Sequence, residues 1–328
     1  MSTVTSNEIA EGLRSLGLNR GSSAIVHSSL QSFGHVEGGA ARVCEALAAT
    51  CGTILFPGSA WDLTGIVLAP PGLVRPNNAR ENAPDWQTFD AAVERARVFS
   101  PELPVDRELG AIPESARKTL RPLRSAHPLF SYLAVGSHAS NLLAGQRLDW
   151  PLGPIDVLER LDGHVLLLGV GHTSNTAIHL AEQRLGRSRF WRYAKVGDGA
   201  WGEFPNLPGD SEGFADIEPA LPAMAEVRIG ECRARLYRVR EVIAVARRLI
   251  LDDPAALLGD VSDPACRDGA VYRQRLAVIA SPRHGAALSG DCGLPCGSVG
   301  WRNVTCLLQD PARRVISGFE TGNTSCCH

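Results

Sequence analysis

The stretch GHVLLLGVGHTSNTAIHLAEQ, residues 163–183, decides the fold of this chain. It begins with the most apolar run in the sequence, which predicts a buried strand, and it becomes helical over residues 173–185. Thr176, His179 and Glu182 follow one another along that helix at spacings of three residues, so their side chains lie on one face. The sequence therefore places a hydroxyl, an imidazole and a carboxylate just beyond the end of a strand, where α/β folds bind their ligands.

These three side chains predict acid–base chemistry. A Glu182 carboxylate that bonds one imidazole nitrogen orients the His179 ring and raises its basicity, so that the other nitrogen takes a proton from a reacting amine or water. The Thr176 hydroxyl, one turn earlier, is placed to donate to an oxyanion or a departing thiolate. Two alternatives stay open on the residues alone: an exposed His–Glu pair without function, and a metal site with His179, Glu182 and His172 as ligands.

The elements around this stretch predict an α/β fold. Apolar spacing predicts a first helix over residues 6–16, and strand, helix and strand then follow up to the Pro-Gly turn at Pro57, an order that favours parallel pairs. Polar segments interrupt the pattern at residues 62–105, which are rich in proline, and again from residue 187. The remaining predicted elements are strands at residues 24–26, 52–57 and 131–136, helices at 38–50, 90–99, 108–120 and 153–161, and an alternating, then helical, segment at 227–250.

Composition and charge exclude several classes of protein. The 328 residues are 44% hydrophobic and 21% charged, with a formal net charge of -2, which gives no general attraction to nucleic acid or to an anionic membrane. The opening residues MSTVTSNEIAEGLRSLG lack the basic and apolar regions of a targeting segment, and no apolar run reaches the length that spans a bilayer. We therefore expect a cytoplasmic protein without nucleic-acid or membrane partners.

Two further segments carry polar side chains at strand ends. In IVHSSLQSFGHVEGG, residues 25–39, a strand ends at His27, Ser28 and Ser29, and a glycine-containing segment leads into a helix. Backbone N–H groups and hydroxyls at such a turn suit a phosphate or pyrophosphate, although the segment is neither a Walker loop nor a Rossmann fingerprint, and an ordinary serine-capped connection is the alternative. The second segment, RSAHPLFSYLAVG, offers further polar groups for the wall of a cleft or for the surface: Arg124, His127 and Ser131.

Together these segments resemble the aminoglycoside 3-N-acetyltransferases, a family of antibiotic-resistance enzymes that use acetyl-coenzyme A. Four motifs carry the resemblance, which covers residues 8–260: VHSSLQSFGHVEGG, GAIPESAR, RSAHPLFSYLAVG and PLGPIDVLERLDGHVLLLGVGHTSNTAIHLAE. The resemblance implies an α/β fold with a central mixed sheet flanked by helices, distinct from the fold common to smaller acetyltransferases. It also implies acetyl-coenzyme A as co-substrate, a small-molecule amine as acceptor, no metal requirement, and a monomer or homodimer.

The same resemblance implies roles for residues at matching positions. His179 matches the catalytic base, Glu182 the carboxylate that orients it, and Thr176 the threonine near the thioester. The amine is expected to attack the thioester directly, without an acyl-enzyme. Coenzyme A is expected to bind with its pyrophosphate at the first motif, and the residues implied on the cofactor side are His27, Ser28, Ser29, Leu30, Val36, Gly38, Gly39, Arg124, Pro128 and Ser131.

The acceptor stays open between two classes of amine. The resemblance implies the 3-amino group of a 2-deoxystreptamine aminoglycoside, a polycation that needs acidic residues around it. Candidates for that acidic site are Asp62, Asp85, Asp90, Glu203, Asp210 and Glu212. The basic segment after the motif helix suits instead the 3′-phosphate of coenzyme A, or an anionic acceptor such as a phosphonate intermediate in biosynthesis: Arg184, Arg187, Arg189, Arg192 and Lys195. A non-catalytic protein that binds ligands in the coenzyme A cleft is a further alternative.

The last part of the chain is predicted as a separate unit. Residues 1–262 are expected to form the acetyl-coenzyme A-dependent domain, and residues 263–328 a Cys-rich extension that matches no motif of the family. Its poor hydrophobic periodicity favours a loosely packed segment, so truncation after residue 262 is expected to leave acetyl transfer intact. A C-x3-C pair makes a zinc site the alternative, with these ligands: Cys292, Cys296, Cys306 and His328.

Overall fold

Strands and helices alternate along the chain in the computed structural model, which describes residues 3–75, 80–222 and 225–260. In chain order the described strands are β1 (Thr3–Val4), β2 (Ser23–Ser28), β3 (His35–Val36), β4 (Thr53–Pro57), β5 (Gly65–Ile66), β6 (Leu123–Arg124), β7 (Tyr132–Gly136), β8 (His164–Leu168), β9 (Phe190–Gly197), β10 (Ala200–Leu207), β11 (Ala225–Ile229) and β12 (Cys232–Arg238). The described α-helices are α1 (Ser6–Ser15), α2 (Gly39–Thr50), α3 (Trp61–Thr64), α4 (Trp86–Arg95), α5 (Ala111–Thr119), α6 (Ala139–Ala144), α7 (Gly153–Arg160), α8 (Thr176–Arg184) and α9 (Val239–Asp252). Segments of 3-10 helix lie at Leu30–Phe33, Arg107–Leu109, His172–Ser174 and Glu212–Ala220.

A seven-stranded mixed sheet forms the centre of the fold, in the order β11-β12-β8-β2-β4-β7-β6. Strands β8, β2 and β4 run parallel to one another, whereas β12 and β7 pair antiparallel with β8 and β4. His27 lies opposite Leu167, and Ser28 opposite Leu168, so β2 and β8 end at the same edge of the sheet. This arrangement confirms the predicted central mixed sheet, and it brings two of the predicted polar strand ends side by side.

Helices cover both faces of this sheet, so its central strands are apolar on both sides. Ala24 and Val26 of β2 pack in a cluster with residues of α1, α2 and α5, whereas Ile25 packs in a second cluster with residues of α7, α8 and α9. This division follows from the two-residue period of a strand. The residues of β8 divide in the same way, Leu166 and Leu168 against Val165 and Leu167. Within the described ranges, no helix is long and apolar enough to cross a membrane.

A smaller antiparallel sheet, β10-β9-β5, packs beside α4. Phe89 of α4 contacts Trp201 of β10, with ring centroids 5.1 Å apart. The polar sequence after residue 187 predicted no strand, yet β9 and β10 form a hairpin there. Arg192 and Lys195 are buried within β9, so this strand lacks the apolar–polar alternation by which a half-buried strand is recognised.

Capping side chains set the helix boundaries that differ from the predicted ones. Helix α4 begins at Trp86, earlier than residue 90, because the Asp85 side chain accepts a hydrogen bond from Thr88 N–H. The helix predicted over residues 173–185 is divided into the 3-10 segment that begins at His172 and helix α8. At the start of α4 and of α8 a polar side chain satisfies a backbone N–H of the first turn, which has no partner within the helix.

Three cysteines lie in the described residues, and all three are buried free thiols: Cys44, Cys51 and Cys232. Burial raises the pKa of Cys44 and of Cys51 to about 11, so both remain thiols at neutral pH and serve as small core side chains. The other six cysteines, the predicted boundary at residue 262 and the zinc alternative lie outside the described residues.

Candidate active site

A cleft of about 710 Å³ opens where β2 and β8 end. Its volume suits a small-molecule ligand. The turn after β2 and the segment between β8 and α8 supply much of its polar lining. The predicted site residues that line this cleft are His27, Ser28, Ser29, Leu30, Ser131, Thr176 and His179.

The imidazole of His179 contacts a carboxylate that is itself bound by a guanidinium. His179 Nδ1 lies 3.0 Å from Glu182 Oε2, and Arg187 donates from Nε and Nη2 to Glu182 Oε1 at 2.9 and 2.6 Å. All three side chains are buried. Burial lowers the pKa of Arg187 to about 10, which leaves the guanidinium charged at neutral pH. The guanidinium charge pairs with the Glu182 carboxylate, whose other oxygen accepts a hydrogen bond when Nδ1 of His179 carries the proton.

The other ring nitrogen of His179 is the one available to a ligand. A proton held on Nδ1 by the carboxylate leaves Nε2 with its lone pair, which is the form that a general base requires. The ring packs against Phe214 with centroids 4.6 Å apart, and this contact limits rotation of the imidazole. Because His179 lines the cleft, an imidazole oriented in this way can accept a proton from a bound molecule.

Asn175 fixes the start of the helix that carries these groups. Its side-chain oxygen accepts a hydrogen bond from Ala177 N–H at 3.2 Å, and its amide nitrogen lies 3.1 Å from His172 Nδ1. Thr176 is the first residue of α8 and lines the cleft one turn before His179. The structure therefore places His172 in the support of this helix. Among the described residues no three His, Cys, Asp or Glu side chains are grouped so that they could hold a metal ion.

The turn after β2 brings buried polar atoms to the cleft. His27 Nε2 and Ser28 Oγ have no hydrogen-bond partner among the described residues, which fits a polar ligand at this position. Burial, with His179 nearby, lowers the pKa of His27 to about 3, so this ring is neutral at physiological pH. Ser32 Oγ donates to the carbonyl oxygen of Ser29 at 2.7 Å, and Ser29 N–H donates to the last residue of β8, so the turn is fastened to that strand.

The second cofactor motif mainly supports the backbone. Arg124 donates to the carbonyl oxygen of Gly58 at 2.5 Å and to Ser131 Oγ at 3.2 Å, and Ser131 Oγ donates to the same carbonyl at 2.6 Å. The carbonyl oxygen of Pro128 accepts a hydrogen bond from Thr64 Oγ1 at 2.7 Å. Of the three predicted residues in this motif, Ser131 lines the cleft and the other two do not.

The residues after β3 serve the backbone as well. Gly38 and Gly39, with φ of 72° and 62°, adopt the left-handed conformation that favours glycine, and they lead into α2. Val36 belongs to β3, which pairs with β1. None of these three lines the cleft, so the first motif reaches it through the segment from Val26 to Gln31.

The acidic side chains expected around the acceptor lie elsewhere. Glu203 pairs with Arg75, its Oε2 lying 2.8 Å from Nε, and Asp85 caps α4. An acidic residue that does line the cleft is Glu108, which sequence reasoning missed because it reads as part of the helix before Pro113. Among the described residues, the lining of the cleft includes none of the six candidates: Asp62, Asp85, Asp90, Glu203, Asp210 and Glu212.

The basic residues after α8 divide into different environments. Arg187, expected as a partner for phosphate, has no exposed surface and binds Glu182 instead. Arg184 donates to Asp156 and Glu159, at 2.5 Å in each case. A sequence signal for Arg187 exists, since an arginine just beyond the glycine that ends a helix can fold back over the last turn. Three further basic side chains lie on or near β9: Arg189, Arg192 and Lys195.

Comparison with known proteins relates this geometry to a family. The family profile described as aminoglycoside 3-N-acetyltransferase matches residues 25–250. The SPbeta prophage-derived aminoglycoside N(3')-acetyltransferase-like protein YokD of Bacillus subtilis is 31% identical over 263 residues, which cover 76% of this chain and 93% of that protein. Aminoglycoside N(3)-acetyltransferase IV of Salmonella is 30% identical over 266 residues, which cover 76% of this chain and 89% of the relative.

A solved structure agrees with these relatives. The crystal structure of a variant of the aminoglycoside acetyltransferase AAC(3)-IVa in complex with a gentamicin is similar to this chain with a TM-score of 0.63 and 26% identity. The match covers 84% of this chain and 98% of that structure. The matched residues 25–250 span most of the described fold, including the cleft and the His179 helix. This chain therefore belongs to the aminoglycoside 3-N-acetyltransferase family of acyltransferases.

Proposed function

We propose that this protein transfers the acetyl group of acetyl-coenzyme A to an amine of a small molecule, with His179 as the general base. The observation that carries the proposal is the chain of contacts from Arg187 through Glu182 to His179, which ends at the cleft. Family membership supports the reaction class, and the buried contacts support the assignment of the base.

The role of His179 follows from the protonation of the acceptor. An ammonium ion has no lone pair, so an amine must lose a proton before it can attack a carbonyl carbon. His179 would take that proton at Nε2, directly or through one water, because Nδ1 faces the carboxylate of Glu182. The carboxylate then stabilises the imidazolium, as it does in other enzymes that use a carboxylate–imidazole pair.

The acetyl group passes directly to the amine in this proposal. The amine nitrogen forms a bond to the thioester carbonyl carbon, the resulting oxyanion collapses, and the C–S bond breaks to release a thiolate. His179 returns its proton from Nε2 to that thiolate, which regenerates the base. Thr176, one turn before His179 in the same cleft, is placed to donate its hydroxyl hydrogen to the developing negative charge on oxygen or sulfur.

The turn after β2 fits the phosphate-bearing part of coenzyme A. His27 Nε2 and Ser28 Oγ are buried polar atoms without protein partners among the described residues, and they lie at the cleft. A neutral imidazole with a proton on Nε2 and a serine hydroxyl are both donors, and phosphate oxygens are acceptors. Backbone N–H groups at a strand-to-helix turn add further donors.

As the acceptor we propose a 2-deoxystreptamine aminoglycoside, acetylated at its 3-amino group. The curated relatives are named aminoglycoside N(3)-acetyltransferases, and the AAC(3)-IVa variant binds a gentamicin. Glu108 in the lining of the cleft supplies a carboxylate to which an ammonium group of such a polycation would bind. An amine that carries an acidic group is the alternative acceptor.

A thiol-release assay with acetyl-coenzyme A tests both parts of the proposal. The acceptor panel contains aminoglycosides with a 2-deoxystreptamine ring, neutral amino sugars and small aminophosphonates. Release with the aminoglycosides, and mass addition at the 3-amino group, is the expected result. Release with acidic or neutral amines alone would contradict the acceptor but keep the reaction. No release with any amine, although coenzyme A binds, would contradict the enzymatic assignment.

A further inference from the structure

Two guanidinium groups share the indole ring of Trp61. Arg80 Cζ lies 5.1 Å from the centroid of that ring, and Arg192 Cζ lies 5.9 Å from it. Arg192 also lies over Phe190, with Cζ 5.0 Å from the ring centroid. The faces of aromatic rings attract cations, so these rings hold the two arginines in place.

Neither arginine has a counter-charge among the described residues. Arg192 is 8% exposed, and its hydrogen bond is from Nη1 to the carbonyl oxygen of Trp191 at 2.9 Å. Arg80 is partly buried, and its Nε is buried without a partner among the described residues. Burial lowers the pKa of both groups, and the nearby charge of Arg80 contributes to the lowering at Arg192. Two cations that are desolvated and repel each other are unfavourable unless an anion joins them.

Two other cations have carboxylate partners: Lys195 of β9, and Arg75, which binds a residue of β10. Arg75 forms two hydrogen bonds with Glu203, and Lys195 lies 3.7 Å from Glu94. The Asp106 carboxylate accepts hydrogen bonds from Trp61 N–H, from Asp62 N–H and from the Ser59 hydroxyl, and within the described part of the chain it forms no ion pair with either arginine. Of the two cations within β9, Arg192 therefore lacks the carboxylate partner that Lys195 has in the described part of the chain.

We propose that Arg80, Arg192 and Trp61 form a binding site for an oxyanion, a phosphate or carboxylate group of a small molecule. Both terminal nitrogens of Arg80, and the Nε and Nη2 of Arg192, have no acceptor in the described part of the chain and are not among its buried unpartnered atoms. A guanidinium presents its N–H groups in a planar fork that matches the oxygens of phosphate and carboxylate.

This oxyanion site borders the cleft. Trp61 packs against the same group of buried side chains as Phe130, which lines the cleft. Ser59 also lines the cleft, and its hydroxyl shares the Asp106 carboxylate with the backbone N–H of Trp61. The source of the oxyanion, unlike the site itself, rests on the proposed function. An acetyltransferase offers two sources, a phosphate of coenzyme A or an acidic group on the acceptor amine.

Inorganic phosphate is the direct probe of the site, since its binding needs no catalysis. Calorimetric titration at low ionic strength should show that Arg80→Gln weakens phosphate binding by about tenfold or more, the effect of losing one charge-assisted contact. Arg75→Gln is the matched control, because that arginine already has a carboxylate partner, and it should leave the affinity unchanged. Equal phosphate affinity in the wild type and in Arg80→Gln would overturn the proposal.

A second variant tests Arg192, the more buried arginine of the pair. Arg192→Lys keeps the charge but loses the fork, so it should fold and bind phosphate more weakly than the wild type. Thermal unfolding followed by circular dichroism verifies folding of each variant. If Arg192→Lys folds and its phosphate affinity matches that of the wild type, the assignment of Arg192 to the site is wrong.

Steady-state kinetics then distinguish the two sources of the oxyanion. If the oxyanion belongs to coenzyme A, Arg80→Gln raises the KM of acetyl-coenzyme A but not that of S-acetylpantetheine, which lacks the phosphates. If it belongs to the acceptor, the variant raises the KM of an acidic amine but not that of a neutral one. Unchanged KM values for all of these substrates would overturn the inference that the bound oxyanion belongs to a substrate. Absence of acetyl transfer together with intact phosphate binding would contradict the proposed function and leave the oxyanion site supported.

Discussion

Arg187 binds the Glu182 oxygen that His179 does not contact, through two guanidinium nitrogens at 2.9 and 2.6 Å. The remaining carboxylate oxygen lies 3.0 Å from His179 Nδ1. The guanidinium of Arg187, which has no exposed surface, therefore holds the carboxylate that contacts the His179 imidazole. This relationship ties the stability of the fold to the orientation of the proposed catalytic group.

Replacing Arg187 by methionine should destabilise the protein strongly. The change leaves the carboxylate of Glu182 buried beside an apolar side chain, and breaking a buried ion pair in this way costs about 3–5 kcal/mol. Urea unfolding monitored by circular dichroism measures the loss. Arg184→Met is the control, because its partners Asp156 and Glu159 are partly exposed and such pairs contribute about 0–1 kcal/mol. A similar loss of unfolding free energy in the two variants would show that the buried Arg187 contact stabilises the protein no more than a partly exposed ion pair does.

Replacing His179 by alanine should abolish most of the acetyl transfer without preventing binding of coenzyme A. Loss of a general base lowers kcat by about 10²- to 10⁴-fold, while the contacts expected for the cofactor at the turn after β2 remain. The measurement pairs steady-state kinetics with calorimetric binding of coenzyme A. His138→Ala, at an exposed histidine before α6, should keep full activity. A His179→Ala enzyme that retains most of its kcat would identify another group as the base.

The contact between His179 and Glu182 could be predicted from the sequence because it is local. Side chains three residues apart in a helix lie next to one another on the same face, independently of the tertiary structure. The buried strand β8 was likewise visible as an apolar run, because both faces of a central parallel strand are covered. Local periodicity thus located the sheet edge, the motif helix and the hydroxyl-rich turn after β2.

The parts that sequence reasoning missed depend on contacts between distant segments. Buried Arg192 and Lys195 obscured strand β9, since the rings and carboxylates that allow their burial come from elsewhere in the chain. Glu108 reaches the cleft from a 3-10 segment whose position is set by the packing of α5 against α2. The sequence groups Arg187 with the other basic residues after the motif helix, because composition does not show which of several arginines folds back onto the helix.

Acidification should weaken the fold through three buried histidines. Burial lowers the pKa of His27 to about 3, and of His127 and His172 to about 4. The unfolded chain binds these protons below about pH 6.5 and the folded protein does not, so the free energy of unfolding falls as the pH decreases from about 6.5 towards 4. Each histidine contributes a slope of up to about 1.4 kcal/mol per pH unit.

Urea unfolding at a series of pH values tests this linkage. His127→Asn removes one of the three titrating groups. The slope of the unfolding free energy against pH, between about pH 6 and 5, should therefore decrease by the amount that one proton contributes, about 1.4 kcal/mol per pH unit. Glu114 does not mask this effect. Its ion pair with Arg117 lowers the pKa of its carboxyl group to about 2, so its contribution to stability is lost mainly at pH values below the usual carboxyl range. An unchanged slope in His127→Asn would contradict the neutral, buried state of that ring.

Replacing Gly169 by alanine should disturb the cleft more than an equivalent change elsewhere. Gly169 follows β8 with a φ of 68°, and a Cβ there would overlap the side chain of Ser32. Since Ser32 Oγ bonds the carbonyl oxygen of Ser29, the crowding would displace the turn proposed to bind coenzyme A. We expect the affinity for coenzyme A to fall by about tenfold, as the loss of one good polar contact would produce.

Gly199→Ala separates this crowding from the cost of a left-handed backbone. Gly199 has a φ of 61°, similar to that of Gly169, but a Cβ there meets no atom within 4 Å. Both variants should therefore lose about 1–2 kcal/mol of stability from the backbone alone, while the affinity for coenzyme A falls only in Gly169→Ala. Equal affinities in Gly169→Ala and Gly199→Ala would show that the turn does not depend on Gly169, because the two substitutions differ mainly in what the new methyl group touches.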